Sequence, residues 1–277
     1  MVTGHRQIPH FFIARDLKRP AARRVSLLMY PIPPSTMKKS LSFKLVSAVI
    51  LTGVFLALFS PAHAADETTT TTPKPKRTRT HTGTYQNSNG NSGIFSSTVT
   101  RGNGQAIRNG TATNQNGQTA THTADRTWNK ATGTGTVASS TTGFDGDTMS
   151  RQGTLTKNAD GSVSGQGTIT GYNGKTATYA DTTTKTANGS STTGTITYAN
   201  GKTAAVDTTV SKIAPGDVSR DTTVTGPNGK TTTKDVATKI NPDGTGTRLV
   251  QVTKPDGTTE TRTETFTVAT TTPPSGP

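Results

Sequence analysis

Residues 167–178 read GTITGYNGKTAT, and 27 positions later residues 194–205 read GTITYANGKTAA. In both copies a Thr/Ile segment runs into an Asn-Gly pair, and a Lys-Thr-Ala segment leaves it. Asn-Gly supplies the positive φ that tight hairpin loops need, and Thr, Ile, Val and Tyr are residues that strands accept well. Each copy therefore reads as strand, turn, strand, with the chain reversing at the glycine.

The same punctuation extends in both directions. One series of glycines, Gly90, Gly117, Gly146, Gly174, Gly201, Gly229 and Gly257, is spaced 27, 29, 28, 27, 28 and 28. An interleaved series, Gly104, Gly133, Gly161, Gly189, Gly216 and Gly244, is spaced 29, 28, 28, 27 and 28. Gly117, Gly146, Gly174, Gly189, Gly201, Gly229, Gly244 and Gly257 are taken as the structural turns, most as the second member of a two-residue Asn-Gly or Asp-Gly loop. Side chains between the glycines alternate. Thr259, Thr261, Thr263, Thr265 and Thr267 share one side of a strand, with Phe266 and Val268 on the other. Val206 with Val210, Val236 with Ile240, and Val250 with Val252 likewise share faces. A period of two with one Thr face and one thinly apolar face marks a half-solvated antiparallel sheet. The expectation is an all-β antiparallel meander of about 12 strands, built from double-strand repeats of about 28 residues. Such a large sheet curls or closes into a barrel-like form rather than lying flat.

Composition limits what this sheet can enclose. Of 277 residues, 28% are hydrophobic and 5% aromatic, too few for a thick core of the ordinary kind. There is no cysteine, which removes disulfides, thiolate metal sites, cysteine nucleophiles and a lipoprotein anchor.

The amino-terminal region is read separately. Residues 1–36 are basic and end in a Pro-rich stretch, and are read as an upstream extension ahead of the true start at Met37. Residues 37–64 then carry Lys38 and Lys39, an apolar run Leu45–Phe59, and Ala62-His63-Ala64. That pattern is a secretory signal peptide cut between Ala64 and Ala65. Its apolar run is shorter than a membrane span, so no stable span is expected after cleavage; a signal anchor with a long basic segment is the competing reading. Nine Lys/Arg and one Asp lie in residues 1–64, so the formal charge of +14 falls to +6 beyond them. A nucleic-acid partner is accordingly not expected. Residues 65–82 read as a Thr/Pro/basic linker, 83–268 as the repeat domain, and 269–277 as a disordered tail.

Chemistry-bearing candidates are few. Beyond the signal peptide the histidines are His81 and His122, and neither a Gly-x-Ser-x-Gly elbow nor a His-Glu-x-x-His helix occurs. Neither catalysis nor a cofactor is expected. Asp125, Asp181, Asp207 and Asp235 follow their turn glycines at similar distances and are weak candidates for a calcium ladder. Pairing with Lys or Arg on neighbouring strands is the favoured alternative. Trp128, Tyr172, Tyr179 and Tyr198 are weak candidates for sugar stacking, against a packing role. Lys74, Lys76, Arg77 and Arg79 are candidates for electrostatic contact with anionic polymer.

These readings together describe an exported bacterial repetitive β-protein, found in the periplasm, at the cell surface or outside, with a structural or adhesive role. The alternative is a module that binds envelope polysaccharide. A small outer-membrane barrel comes third, because a Thr face supplies no apolar band for lipid. A second copy of the chain, joined through free sheet edges, is the other expected partner.

Overall fold

The computed structural model describes residues 76–271. Residues 1–75 and 272–277 lie outside the described residues. So do the assignments made on them, namely the upstream extension, the signal peptide, most of the linker, Lys74 and the end of the tail.

Within 76–271 the chain forms fourteen strands: β1 (Arg77–Asn87), β2 (Ser92–Gly102), β3 (Gln105–Asn114), β4 (Thr119–Asn129), β5 (Thr134–Thr142), β6 (Thr148–Lys157) and β7 (Val163–Thr170). The second half is β8 (Thr176–Thr186), β9 (Gly189–Tyr198), β10 (Thr203–Ala214), β11 (Asp217–Thr225), β12 (Thr231–Ile240), β13 (Thr245–Thr253) and β14 (Thr259–Thr271). Every strand pairs antiparallel with its neighbours in sequence, and β1 pairs with β14, so the meander closes into a barrel. The all-β, curled architecture is as expected. The strand number exceeds the expected twelve because the thirteen reversals along the chain separate fourteen strands, and the barrel also reaches beyond residues 83–268 at both ends. Arg77–Thr82 belong to β1, and Ala269–Thr271 complete β14 as its partner. Alternating Thr and Arg at 77–80 has the period of two of every other strand. Its composition suggested a tether; its alternation fits a pleated strand.

The turn chemistry differs from the two-residue expectation. A type I′ loop needs positive φ at both central residues, and only Asn103-Gly104, at 52° and 71°, meets it. In nine loops the glycine N–H instead bonds back to the carbonyl three residues earlier, as from Gly174 to Gly171 and from Gly201 to Tyr198. The strands close one residue further out, for example from Gly171 N–H to the Lys175 carbonyl. This is a type I turn followed by a left-handed glycine, the three-residue loop with a G1 bulge. The Asn or Asp before the glycine works through its side chain. Asn173, Asn200, Asn228, Asp243 and Asp256 each accept, at Oδ1, the backbone N–H two residues on. Gly189 does not serve as a turn glycine. The β8–β9 loop is Ala187-Asn188, and Gly189 opens β9 with its Cα side packed tightly beneath the Val210 carbonyl.

The core sits inside the barrel. A circular cylinder of 14 strands spaced roughly 4.8 Å apart would be ~25–30 Å across, too wide for two layers of side chains to fill. Yet Ala204 and Val224 are each only 1% exposed, so their side of the interior is filled. One cluster joins Ile169, Ala177, Tyr179, Ile196, Ala204 and Val224, with Val252 of β13 packed onto it.

Aromatic rings are accommodated by a recurring device. Tyr85 stands directly opposite Gly93, Trp128 opposite Gly135, Tyr179 opposite Gly167, and Phe266 between Gly83 and Gly246. A Cβ at Gly93 would lie 2.7 Å from the Tyr85 ring, and one at Gly135 would lie 2.9 Å from Trp128. Glycine opposite an aromatic lets the ring lie flat over the neighbouring backbone. The sparse aromatic content thereby covers more of the interior than its number suggests.

Candidate functional site

Charge is sorted between the two faces of the wall. Along each strand the alternation that turns Val inward also turns Arg and Lys inward: Arg248 with Val250, Lys234 with Val236, and Arg220 with Val224. Arg108, Lys234 and Arg248 are buried. Asp125, Asp207, Asp221 and Asp235 fall on the opposite, outward parity.

At the β13–β14–β1 seam the inward charges converge on Glu264, which is 1% exposed. Arg248 Nη1 donates to its Oε2 at 2.9 Å, and Arg262 Nη2 donates to its Oε1. Arg262 also lies over the Tyr85 ring at 5.3 Å, and Arg248 over Phe266 at 5.5 Å. His81 stacks on Phe266 with centroids 5.3 Å apart. Across the lumen, Arg108 Nε donates to Ser97 Oγ at 3.0 Å. Burial, reinforced by Arg248 and then Arg108, brings the His81 imidazole down to about 4. Burial and repulsion from Arg248 bring Arg108 down to about 9, with Glu264 opposing. Lys234 is held well below the usual ammonium range by burial and then by Arg220. His81, Tyr85, Ser97, Arg108, Arg248, Arg262 and Glu264, with Ala112 and Phe95, line a small cavity of about 20 Å³.

A second inward ion pair joins Arg151 and Asp181 at 2.8 Å, with Arg151 3.9 Å from the Tyr179 ring centroid. Burial raises the Asp181 carboxyl, and Arg151 opposes it.

The outer wall is sunken where its inward positions carry no side chain. Gly153, Gly165, Gly167 and Gly194 occupy inward parity on β6, β7 and β9, and the wall outside them forms a trough. Its largest part, about 840 Å³, is lined by Thr136, Gln152, Gln166, Thr178, Ala180 and Thr195 among others. A neighbouring part of about 520 Å³ shares Gln166, Ala180 and Thr195, and extends to Thr182, Thr193 and Asp207. On the other side a part of about 290 Å³ shares Ala138 and Gln152 and reaches Asn109 and Asp125. Hydroxyls, amides and small methyl groups thus line adjoining depressions across β3–β10, with a carboxylate near each end.

Comparison with protein-family models, curated proteins and solved structures returns no match for this chain. Its site must be read from its own residues.

The four aspartates considered for a calcium ladder separate. Asp181 points inward to Arg151, two strands away on β6 rather than on a neighbouring strand. Asp125 accepts from Gln105 Nε2 at 3.1 Å on both oxygens, while Asp207 and Asp235 lie outward on β10 and β12. Among the described residues no three such groups assemble into a metal site. The aromatic candidates also turn away from ligands. Tyr179 is buried, Trp128 and Tyr198 are half-buried on inward positions, and Tyr172 sits half-buried in the β7–β8 loop. Lys76, Arg77 and Arg79 are exposed at the start of β1, where Arg77 stands opposite Arg101. His122, 1% exposed, shares a 2.8 Å hydrogen bond between Nδ1 and Thr141 Oγ1. Burial and then Arg108 bring its imidazole down to about 4.

Sequence reasoning passed over Arg108, Arg220, Lys234, Arg248, Arg262 and Glu264. The signal was present for all but Arg108: each of the others shares parity with a Val or Phe two or four residues away. The trough gave less notice, since Gly153, Gly167 and Gly194 look like repeat punctuation until register turns them inward.

Proposed function

We propose that this chain is an exported, non-catalytic β-barrel with a structural and adhesive role at the cell envelope or outside it, and that the outer trough is its adhesive contact. The observation that carries this reading is the trough itself, a long depression lined by Thr hydroxyls and methyls and by Gln amides on a wall with rigid backbone ladders. Extended polysaccharide chains offer hydroxyls at short intervals, and rows of Thr and Gln answer them with donors and acceptors in both senses. Without exposed aromatic platforms the contact is weak per sugar, so affinity accumulates along the chain.

Catalysis fits poorly. Among the described residues the hydroxyl–imidazole pair of Thr141 with His122 is buried, and its histidine is a weak base near neutral pH. The outer-membrane alternative has the right topology, an even number of antiparallel strands in a closed barrel. Its difficulty is the outer wall, where Thr259, Thr261, Thr263, Thr265 and Thr267 alternate outward and Asp207, Asp221 and Asp235 stand at mid-strand. Charges there are costly against lipid. Closure also alters the expected self-association: each described strand has two partners, so no free edge remains as a template.

The test is retention of the full chain on insoluble cell-wall polysaccharide at low and high salt. Ala180 lies outward in both larger parts of the trough, so Ala180→Trp fills it without touching the core. Retention by the native chain, largely salt-independent and lost in Ala180→Trp, is expected. Absence of retention at low salt, or equal retention by the variant, would refute the trough as the contact.

A further inference from the structure

The two ends of the barrel differ in charge. In an up-and-down meander alternate loops lie at opposite ends, so β2–β3, β4–β5 and every second loop after them share one end with the start of β1. There Lys130, Lys157, Lys185, Lys212 and Lys239 recur at intervals of 27, 28, 27 and 27, one near the close of each even-numbered strand from β4 to β12. All five are exposed. Lys76, Arg77, Arg79 and Arg101 bring the cations at this end to nine, against three carboxylates, Asp160, Asp217 and Asp243. The opposite end is balanced: Lys175, Lys202, Lys230 and Lys254 stand with Asp145, Asp147, Asp256 and Glu260. Both members of any ion pair are counted, so the excess of six positive charges at one end holds whatever each cation pairs with. Solvation of a polar surface calls for charge at both ends alike and gives no reason for this division.

Apolar side chains mark the same end. The bulge in β10 between Lys212 and Ala214 leaves Ile213 72% exposed, and Val218, which pairs with Lys212, is 38% exposed. Cations around a rim with aliphatic groups among them fit a lipid surface, where headgroup phosphates meet the cations and the acyl boundary takes the aliphatics. A dissolved polyanion gives Ile213 and Val218 nothing to bury against. Among the described residues no exposed aromatic ring stands at this end to stack a nucleobase. We infer that this end of the barrel docks on an anionic membrane, with phosphate-bearing lipid headgroups as its ligand. The trough lies on the side wall, so the two contacts are separate and either reading can fail alone.

Sedimentation of the full chain with vesicles tests this. Phosphatidylcholine vesicles with and without phosphatidylglycerol are compared at about 0.1 M and about 0.5 M salt. Phosphatidylglycerol is expected to raise partitioning about 100-fold or more at the lower salt, since each near-surface cation multiplies the attraction several-fold. Most of that gain is expected to vanish at the higher salt. A variant carrying Lys157→Gln, Lys212→Gln and Lys239→Gln should lose about 30–100-fold. One carrying Lys175→Gln, Lys202→Gln and Lys230→Gln, the same charge removed from the other end, should stay within about two-fold of the native chain. Because the chain has no cysteine, an environment-sensitive dye on Ile213→Cys, or on Ala199→Cys in the β9–β10 loop of the opposite end, reports orientation. A blue shift on phosphatidylglycerol vesicles at position 213 and none at 199 is expected. Equal partitioning into both vesicle types, equal losses from the two triple variants, or equal dye shifts at both positions would overturn the assignment. So would retention on immobilised polyphosphate without vesicle binding, the result expected of a contact for dissolved anionic polymer. The vesicle comparison uses the native chain and holds whether or not a variant folds.

Discussion

Individual residues carry this fold in two distinct ways, and glycine shows both. Gly229 closes an exposed loop with φ +74° and open space around its α-carbon, so Gly229→Ala costs only backbone strain, about 1 kcal/mol. Gly153 faces inward beneath the Tyr179 hydroxyl and the Gln166 carbonyl, both of which a Cβ would overlap. Gly153→Val should cost about 3 kcal/mol or more, read as a lowered denaturant midpoint. Equal effects at the two positions would refute the division. The two histidines set a second expectation. Both remain neutral in the fold down to about pH 4, whereas the unfolded chain takes up protons near 6.5. The unfolded state therefore binds more protons in that window, and stability falls as pH drops from about 6.5 toward 4. His122→Asn should flatten part of that slope in urea titrations at successive pH values. The first kind of glycine was legible in the sequence because spacing alone reveals it. The second was not, because Gly153 and Gly167 acquire their role only from register with Tyr179 on another strand.

At the level of the element, hairpin loops and cross-strand pairs set the register. Threonine does more than tolerate the strand: Thr80 with Thr98, and Thr84 with Thr265, meet through their hydroxyls at 3.1 and 3.0 Å. Such pairs contribute about 0.2–1 kcal/mol each, small singly but repeated around the wall. The loops hold through Asx side chains. Asp160, Asp243 and Asp256 are pulled below the ordinary carboxylate range, first by the hydroxyls of Ser162, Thr245 and Thr258. Their contribution is present at neutral pH and is lost as pH falls through those lowered values. Asp256→Ala should loosen the β13–β14 loop, seen as faster amide exchange at Thr258, while Asp256→Asn should not, since Asn173, Asn200 and Asn228 fill the same role. The existence of the reversals could be read from Asn-Gly and Asp-Gly. Their three-residue form could not, because the same dipeptide serves either loop and the sign of φ at Asn decides between them.

The whole molecule depends on closure. The β1–β14 seam joins residues about 180 positions apart, such as Thr84 and Thr265, so the last contacts formed are those of greatest sequence separation. Half of that seam was hidden in the sequence. Arg77–Thr82 resemble a basic tether in composition, and only their alternation marks them as a strand. Closure also explains why charge could be sorted as it is: a closed barrel has an interior for arginines to share with glutamate and aromatic rings, and an exterior for Thr and Asp. The most direct test of this account is nuclear magnetic resonance on the isotope-labelled full chain, measuring backbone proton–proton contacts between β1 and β14. Contacts linking Thr82 with Thr267 and Thr84 with Thr265, alongside those of β1 with β2, are the predicted result. Intact β1–β2 contacts with none across the seam would show an open sheet and contradict the barrel.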